Sequence, residues 1–267
     1  MRVPTDKEIL ALHEKYAPTA EALDLVYQHC LIVCGIAEQL HARAGLDSDI
    51  DLVRAGCLLH DIGVYRLYDA AGELDHANYI RHGLLGYDLL LAEGFPEAIC
   101  RFASCHTGMG LSRQDVLRQR LPLPPADYLA ETGEEALVMY ADKFHSKTTP
   151  PALLTACAYA ASVRRFGEDK VARFESMRAA FGEPDLGPFT TAYGHRVLDC
   201  DLPSDDAGHR KPKAYRSKKT VSSSPCMRMS KRSRLSPAGT ATRVLRRPAG
   251  TDWRTGSALL AACSSGK

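Results

Sequence analysis

Between about residues 21 and 43 the apolar side chains Leu23, Val26, Tyr27, Cys30, Val33, Cys34, Ala37 and Leu40 recur at separations of three and four. That spacing draws one apolar stripe along a long amphipathic α-helix, which must be buried against other elements. No segment alternates with period two long enough to require a strand, so the partners are expected to be helices too. Thr5 with Glu8 forms a capping-box pattern that opens a first helix. Asp51 starts a shorter helix, 52–61, apolar on nearly every side and therefore expected at the centre. Further helices are expected over about 79–93, from Pro96 to His106, over about 134–147, and over 152–166 and 168–181. Gly63 is expected to serve as a left-handed helix cap. Residues 109–132, with Leu121-Pro122-Leu123-Pro124-Pro125, are expected to be irregular because that run cannot continue a helix. The expected fold class is an all-α helical bundle.

Charge divides the chain. Residues 1–203 carry 19 Lys and Arg against 29 Asp and Glu, whereas residues 204–267 carry 15 against 3. The near-neutral total of +2 therefore hides an acidic body and a basic appendage. Residues 1–200 are expected to form the folded domain. Residues 201–267 hold too few clustered apolar groups to offset their ordering entropy and are expected to be a disordered basic tail. Nucleic-acid binding through that tail has only Tyr215 and Trp253 as aromatic support. The N-terminal residues lack an apolar signal region, and runs such as Leu89-Leu90-Leu91-Ala92 are too short to cross a bilayer, so no membrane partner is expected. Nine cysteines, an odd number scattered through helices, do not suggest a disulfide framework; a cytoplasmic location is expected.

Six side chains stand out by where their helices place them. His29 lies at the edge of the buried stripe of the longest helix. His60 and Asp61 end the most apolar helix, after Cys57-Leu58-Leu59. His82 falls in the first turn of its helix and His106 in the last turn of the next. Asp142 follows the apolar run Leu137-Val138-Met139-Tyr140-Ala141. Any one of them, alone, reads as a hydrogen-bonded core residue or a structural ion pair. Together they are costly to bury by accident, and a divalent cation held by imidazole and carboxylate explains all of them at once.

The order His29, His60-Asp61, His82, His106, Asp142 resembles the HD-domain superfamily of metal-dependent phosphohydrolases. Leu58-Leu59-His60-Asp61-Ile62-Gly63 is similar to its HDIG signature, over a resemblance that covers about residues 20–150. His82-Gly83 and His106-Thr107-Gly108 are similar to the extra histidines of the two-metal branch. The resemblance implies that His29, His60, Asp61 and Asp142 hold one metal and that Asp61 bridges to a second held by His82 and His106. It implies two divalent ions, iron or manganese first among transition metals, and a hydroxide between them that attacks phosphorus. His60 and Asp61 would then be the catalytic pair.

Phosphate oxygens need cationic donors, for which Arg66, Arg81, Lys143 and Lys147 are the candidates. Val64 stands directly after Gly63, where many HDIG proteins carry a basic residue, and Arg66 is the nearest substitute. His145 could share a helix face with Asp142, and His76 sits in a polar loop; both are expected beside the ligands or in solvent. His13, His41, His195 and His209 fit no ligand pattern. The expected function is hydrolysis of a phosphoester or phosphoanhydride in a small substrate, a nucleotide by preference. Two rivals share the same residues: a di-iron oxygenase, and a non-catalytic metal-stabilised scaffold with a nucleic-acid-binding tail. Oligomeric state is not legible.

Overall fold

A computed structural model describes residues 1–200, so the expectations for the basic tail 201–267 lie outside the described residues. Ten α-helices carry the fold among them. Helix α1 (Asp6–Tyr16) begins at Thr5, whose backbone amide donates to Glu8 at 2.9 Å in the capping box the sequence announces. Helix α2 (Ala20–Ala44) starts at Thr19, and Gly45 closes it in the left-handed region at φ 59°. Helix α3 (Ile50–Leu59) is capped by Asp49, which accepts from the amides of Asp51 and Leu52. The helix therefore begins two residues earlier than expected, because Asp49 and not Asp51 offers the capping carboxylate.

Helices α4 (His82–Ala92) and α5 (Glu97–Cys105) form a hairpin, preceded by two 3-10 turns at Ile62–Leu67 and His76–Arg81. Helix α6 (Arg113–Gln119) lies inside the stretch expected to be irregular. It forms because Ser112 and Asp115 make a second capping box ahead of the proline run. Helix α7 (Gly133–Ala141) stops well short of residue 147. Its last turn tightens into a 3-10 segment, Asp142–Phe144, and the backbone then extends as strand β1 (His145–Ser146).

A three-stranded sheet follows, which the sequence did not announce because its strands are two or three residues long. β1 pairs antiparallel with β2 (Ala152–Leu154), and β2 pairs in parallel with β3 (Arg196–Leu198). Helices α8 (Ala156–Val163), α9 (Glu168–Phe181) and α10 (Gly187–Tyr193) fill the space between β2 and β3 in the chain. The parallel register brings Cys200 beside α8, where it forms a disulfide with Cys157 across 43 residues. No disulfide was expected, since a pairing made by a three-residue strand leaves no spacing signal. The five unpaired cysteines among the described residues are all buried.

The core is the interior of the bundle, with α2 against α3 and α7, and α3 against α5 and α7. Val26, Cys30, Val33, Cys34, Ala37 and Leu40 of the predicted stripe are all fully buried there. Helix α2 is also the one helix among the described residues long and apolar enough to cross a bilayer; 61% of that apolar window is covered by the rest of the protein. Its hydropathy is thus accounted for by the core it builds.

Gly63 is not a left-handed cap. It sits in a 3-10 turn pressed against the start of α4, where an added Cβ would lie 2.1 Å from the His82 carbonyl oxygen and 2.2 Å from the Gly86 amide nitrogen. A side chain would fill the space that backbone already occupies. The glycine therefore sets the distance between Asp61 and His82, which come from different segments.

Candidate metal centre

Five of the six singled-out residues sit at helix ends, where the backbone turns and a short side chain can point inward. His60 is the C-cap of α3, and Asp61 is the N-cap of the following 3-10 turn. His82 opens α4, and His106 and Asp142 are the C-caps of α5 and α7. His29 alone projects from mid-helix, on the inner edge of α2. The four histidines and Asp61 are at most 5% exposed, and the Asp142 side chain is 15% exposed.

Their donor atoms fall into two groups joined by one carboxylate. In the first, His29 Nε2 lies 3.1 Å from His60 Nε2, 3.2 Å from Asp61 Oδ2 and 3.0 Å from Asp142 Oδ1. His60 Nε2 is 3.5 Å from Asp61 Oδ2 and 3.6 Å from Asp142 Oδ1. In the second, His82 Nε2 and His106 Nε2 lie 2.9 Å apart, and 3.4 and 3.5 Å from Asp61 Oδ1. Each oxygen of Asp61 thus belongs to one group.

Metal–ligand bonds of about 2.1 Å place neighbouring ligands about 3.0 Å apart in an octahedron and about 3.4 Å apart in a tetrahedron. The observed spacings span that range. A second observation supports the same fit: Asp61 Oδ1 is buried with no hydrogen-bond partner. An orphaned carboxylate oxygen costs free energy unless a cation compensates it. The residues fit divalent metal.

Hydrogen bonds orient the imidazoles for ligation. His60, His82 and His106 each turn Nδ1 to a backbone carbonyl, of Cys57 at 2.7 Å, Tyr79 at 2.6 Å and Phe102 at 3.2 Å. A carbonyl only accepts, so Nδ1 carries a proton and each Nε2 is the nitrogen turned to the centre. Burial lowers the His82 imidazole to about 3 and lowers His106 as well. Burial opposes the charged form of His60 too, but the adjacent Asp61 charge outweighs it and raises that imidazole well above its usual range. Burial likewise opposes ionisation of both carboxylates, yet the Lys147 ammonium beside Asp61 and the Lys143 ammonium beside Asp142 hold them well below the usual range. Two ionised carboxylates and inward-facing imidazoles are the donor set that divalent metals take.

The expected phosphate contacts divide. Lys147 meets Asp61 Oδ2 directly and lines the adjoining cavity. Lys143 is buried, donating to the His106 carbonyl at 2.9 Å and to Asp142 Oδ2 at 2.6 Å, so it braces a ligand. Arg66 does not reach the site; it is exposed, with its guanidinium 5.1 Å from the centre of the Tyr16 ring. The 3-10 turn after Asp61 rotates position 66 toward α1. Arg81 is also exposed and lines neither cavity at the centre, because the turn that buries His82 directs its neighbour outward.

His145 is buried beside the ligands, with Nδ1 2.8 Å from His29 Nδ1 and Nε2 3.0 Å from His195 Nδ1. Its position three residues after Asp142 was the available signal; nothing in the spacing pointed to His195. His13 is a core residue, held by Tyr65 Oη at 2.8 Å and the Leu58 carbonyl at 2.7 Å. A cavity of about 550 Å³ opens at the centre, with Asp142, Lys147, Tyr79, Leu25, Tyr159 and Arg165 among its lining. A smaller one of about 240 Å³ has Asp61, His82 and His106 among its lining.

A mostly helical domain in which an ordered histidine–aspartate set converges, five of its six members from helix ends, is the class that fold and site define. Residues 26–147, a little under half of the chain, match the model of the HD domain family. Uncharacterized protein MJ0778 of Methanocaldococcus jannaschii is 38% identical over 120 residues, covering 44% of this chain and 64% of that protein. A tRNA (cytidine(56)-2'-O)-methyltransferase of Thermoplasma volcanium is 31% identical over 140 residues, covering 52% of this chain and 36% of that enzyme. The chain thus spans less than two thirds of the length of either relative. The HD domain of the L. monocytogenes phosphodiesterase PgpH, solved with cyclic-di-AMP, aligns at 18% identity and a TM-score of 0.43 over 71% of this chain and 99% of that one.

Proposed function

We propose that the protein is a metal-dependent phosphohydrolase that cleaves a phosphoester or phosphoanhydride bond of a small nucleotide. The observation that carries this reading is the division of Asp61 between two donor groups, with Oδ2 facing His29, His60 and Asp142 and Oδ1 facing His82 and His106. His29, His60, Asp142 and Asp61 would hold one divalent ion, and Asp61, His82 and His106 a second. Such ions, when bound, make water nucleophilic near neutral pH and stabilise charge on phosphoryl oxygens.

The remaining work falls to the chain itself. Asp61 keeps the two donor groups in register, because its carboxylate is fixed between the end of α3 and the 3-10 turn. Lys147, at the rim, offers a charged donor to a phosphoryl oxygen. Lys143 holds Asp142 in place from the far side. The nucleotide preference is supported by the larger cavity, whose volume suits a ligand of that size and whose walls combine Leu25, Leu74, Leu154 and Tyr159 with the cations Lys147 and Arg165. An apolar and aromatic wall suits a base, and separated cations suit phosphate.

The test is phosphate release from a panel of nucleotides by metal-loaded protein under strict anaerobiosis. Release without oxygen is expected. A strict oxygen requirement would overturn hydrolysis in favour of an oxygenase, and metal binding without turnover on any phosphorylated compound would favour a scaffold.

A further inference from the structure

We propose that His145 and His195 are positioning residues that fix the ring and tautomer of His29, so that the short C-terminal sheet helps build the metal centre. The proposal rests on the reading of His29 as a metal ligand. His60, His82 and His106 each have a nearby carbonyl to hold Nδ1–H. His29 lies in the middle of α2, where the neighbouring carbonyls are engaged in the helix, and its Nδ1 faces another imidazole instead, His145 Nδ1 at 2.8 Å.

One assignment of protons satisfies the whole row. With its Nε2 lone pair turned to the centre, His29 carries its proton on Nδ1 and donates it to His145 Nδ1. His145 can accept there as a neutral imidazole only with its own proton on Nε2. That nitrogen points at His195 Nδ1, 3.0 Å away, which accepts in turn. The ring planes of His29 and His145 differ by 29° and those of His145 and His195 by 15°. A neighbour that holds the far nitrogen of a ligating histidine fixes its orientation and raises its basicity, which is worth ten- to a hundredfold in metal affinity.

The backbone supplies this row on purpose-built segments. His145 lies in β1, paired with Leu153 of β2. His195 immediately precedes β3, whose Arg196 pairs with Ala152. His145 and β1 lie inside the 26–147 segment that matches the family, whereas β2, β3 and His195 lie beyond it, so the chain's C-terminal elements complete this support.

The test is calorimetric titration of Mn²⁺ into the full-length protein and its variants, with thermal melting recorded for each. Wild type is expected to bind Mn²⁺. His145→Ala is expected to weaken the tighter site by roughly ten- to a hundredfold. His145→Asn, whose Oδ1 accepts where Nδ1 did, is expected to restore most of that loss, and His195→Ala to show a smaller one. In Zn²⁺-loaded wild type, nitrogen NMR of the imidazoles is expected to find the His29 proton on Nδ1. Wild-type affinity in a folded His145→Ala protein would overturn the proposal, as would an Asn variant no better than Ala. Failure of wild type to bind Mn²⁺ would instead sink the ligand reading of His29 itself.

Discussion

Replacing Gly63 with alanine puts the packing of the centre to a direct test. The added Cβ would sit 2.1 Å from the His82 carbonyl oxygen and 2.2 Å from the Gly86 nitrogen, against an optimum of about 3.5 Å. Both obstacles are backbone, so no rotamer change relieves them, and α4 must move away by about 1 Å or more. Overpacking of this kind costs about 1–3 kcal/mol, and backbone on both sides puts Gly63→Ala near the top of that range. For a folded body of this size that lowers Tm by roughly 6–12 °C. The same displacement carries His82 away from Asp61 Oδ1, so the variant is expected to lose metal from that side while keeping it at His29, His60 and Asp142. Thermal melting with metal analysis by mass spectrometry reads both effects. Gly133→Ala is the control: its methyl meets open space, and Tm is expected to stay the same or rise slightly. A Gly63→Ala protein with wild-type Tm and full metal content would refute the claim that this glycine sets the Asp61–His82 distance.

Three further outcomes are expected. Asp61→Asn should remove both ions and lower turnover by roughly a thousandfold or more, whereas Asp142→Ala should weaken only the His29–His60 side; equal metal loss in the two would contradict the shared-carboxylate reading. Lys147→Ala should lower kcat/KM by about tenfold or more, while Arg66→Ala and Arg81→Ala, both directed outward, should change it by less than about twofold in a phosphate-release assay. Burial lowers the His13 imidazole from 6.5 to about 4. Between those values the unfolded chain binds a proton that the folded one refuses, so this contribution is whole above pH 6.5 and falls by about 3 kcal/mol as pH drops toward 4. Urea unfolding at pH 7 and 4.5 should show a smaller acid loss in His13→Gln than in wild type, and identical losses would exclude this role.

Where residues signal locally, the sequence was readable. The stripe of α2, the Thr5–Glu8 box and the ordered ligand candidates all reappear, because helical periodicity and capping depend on neighbours within a turn or two. The six side chains came together as their order suggested. What escaped depends on distant partners. Gly63 reads as a cap until α4 is seen against it, since the constraint is a contact with residues 82 and 86. Strands of two or three residues carry no periodic signal, so neither the sheet nor the Cys157–Cys200 link it brings about was visible. His195 lies 50 residues from His145 and is brought beside it only by that sheet. Arg66 and Arg81 lie near the ligands in sequence and diverge from them in space, because each sits within a 3-10 turn that directs it outward.

Crystals of the full chain grown with Mn²⁺, with anomalous scattering measured at the manganese edge, address the centre itself. Two peaks are expected, one within bonding distance of Asp61 Oδ2, His29, His60 and Asp142, the other of Asp61 Oδ1, His82 and His106. A single peak, or manganese bound with Asp61 Oδ1 left bare, would contradict a centre divided across one carboxylate.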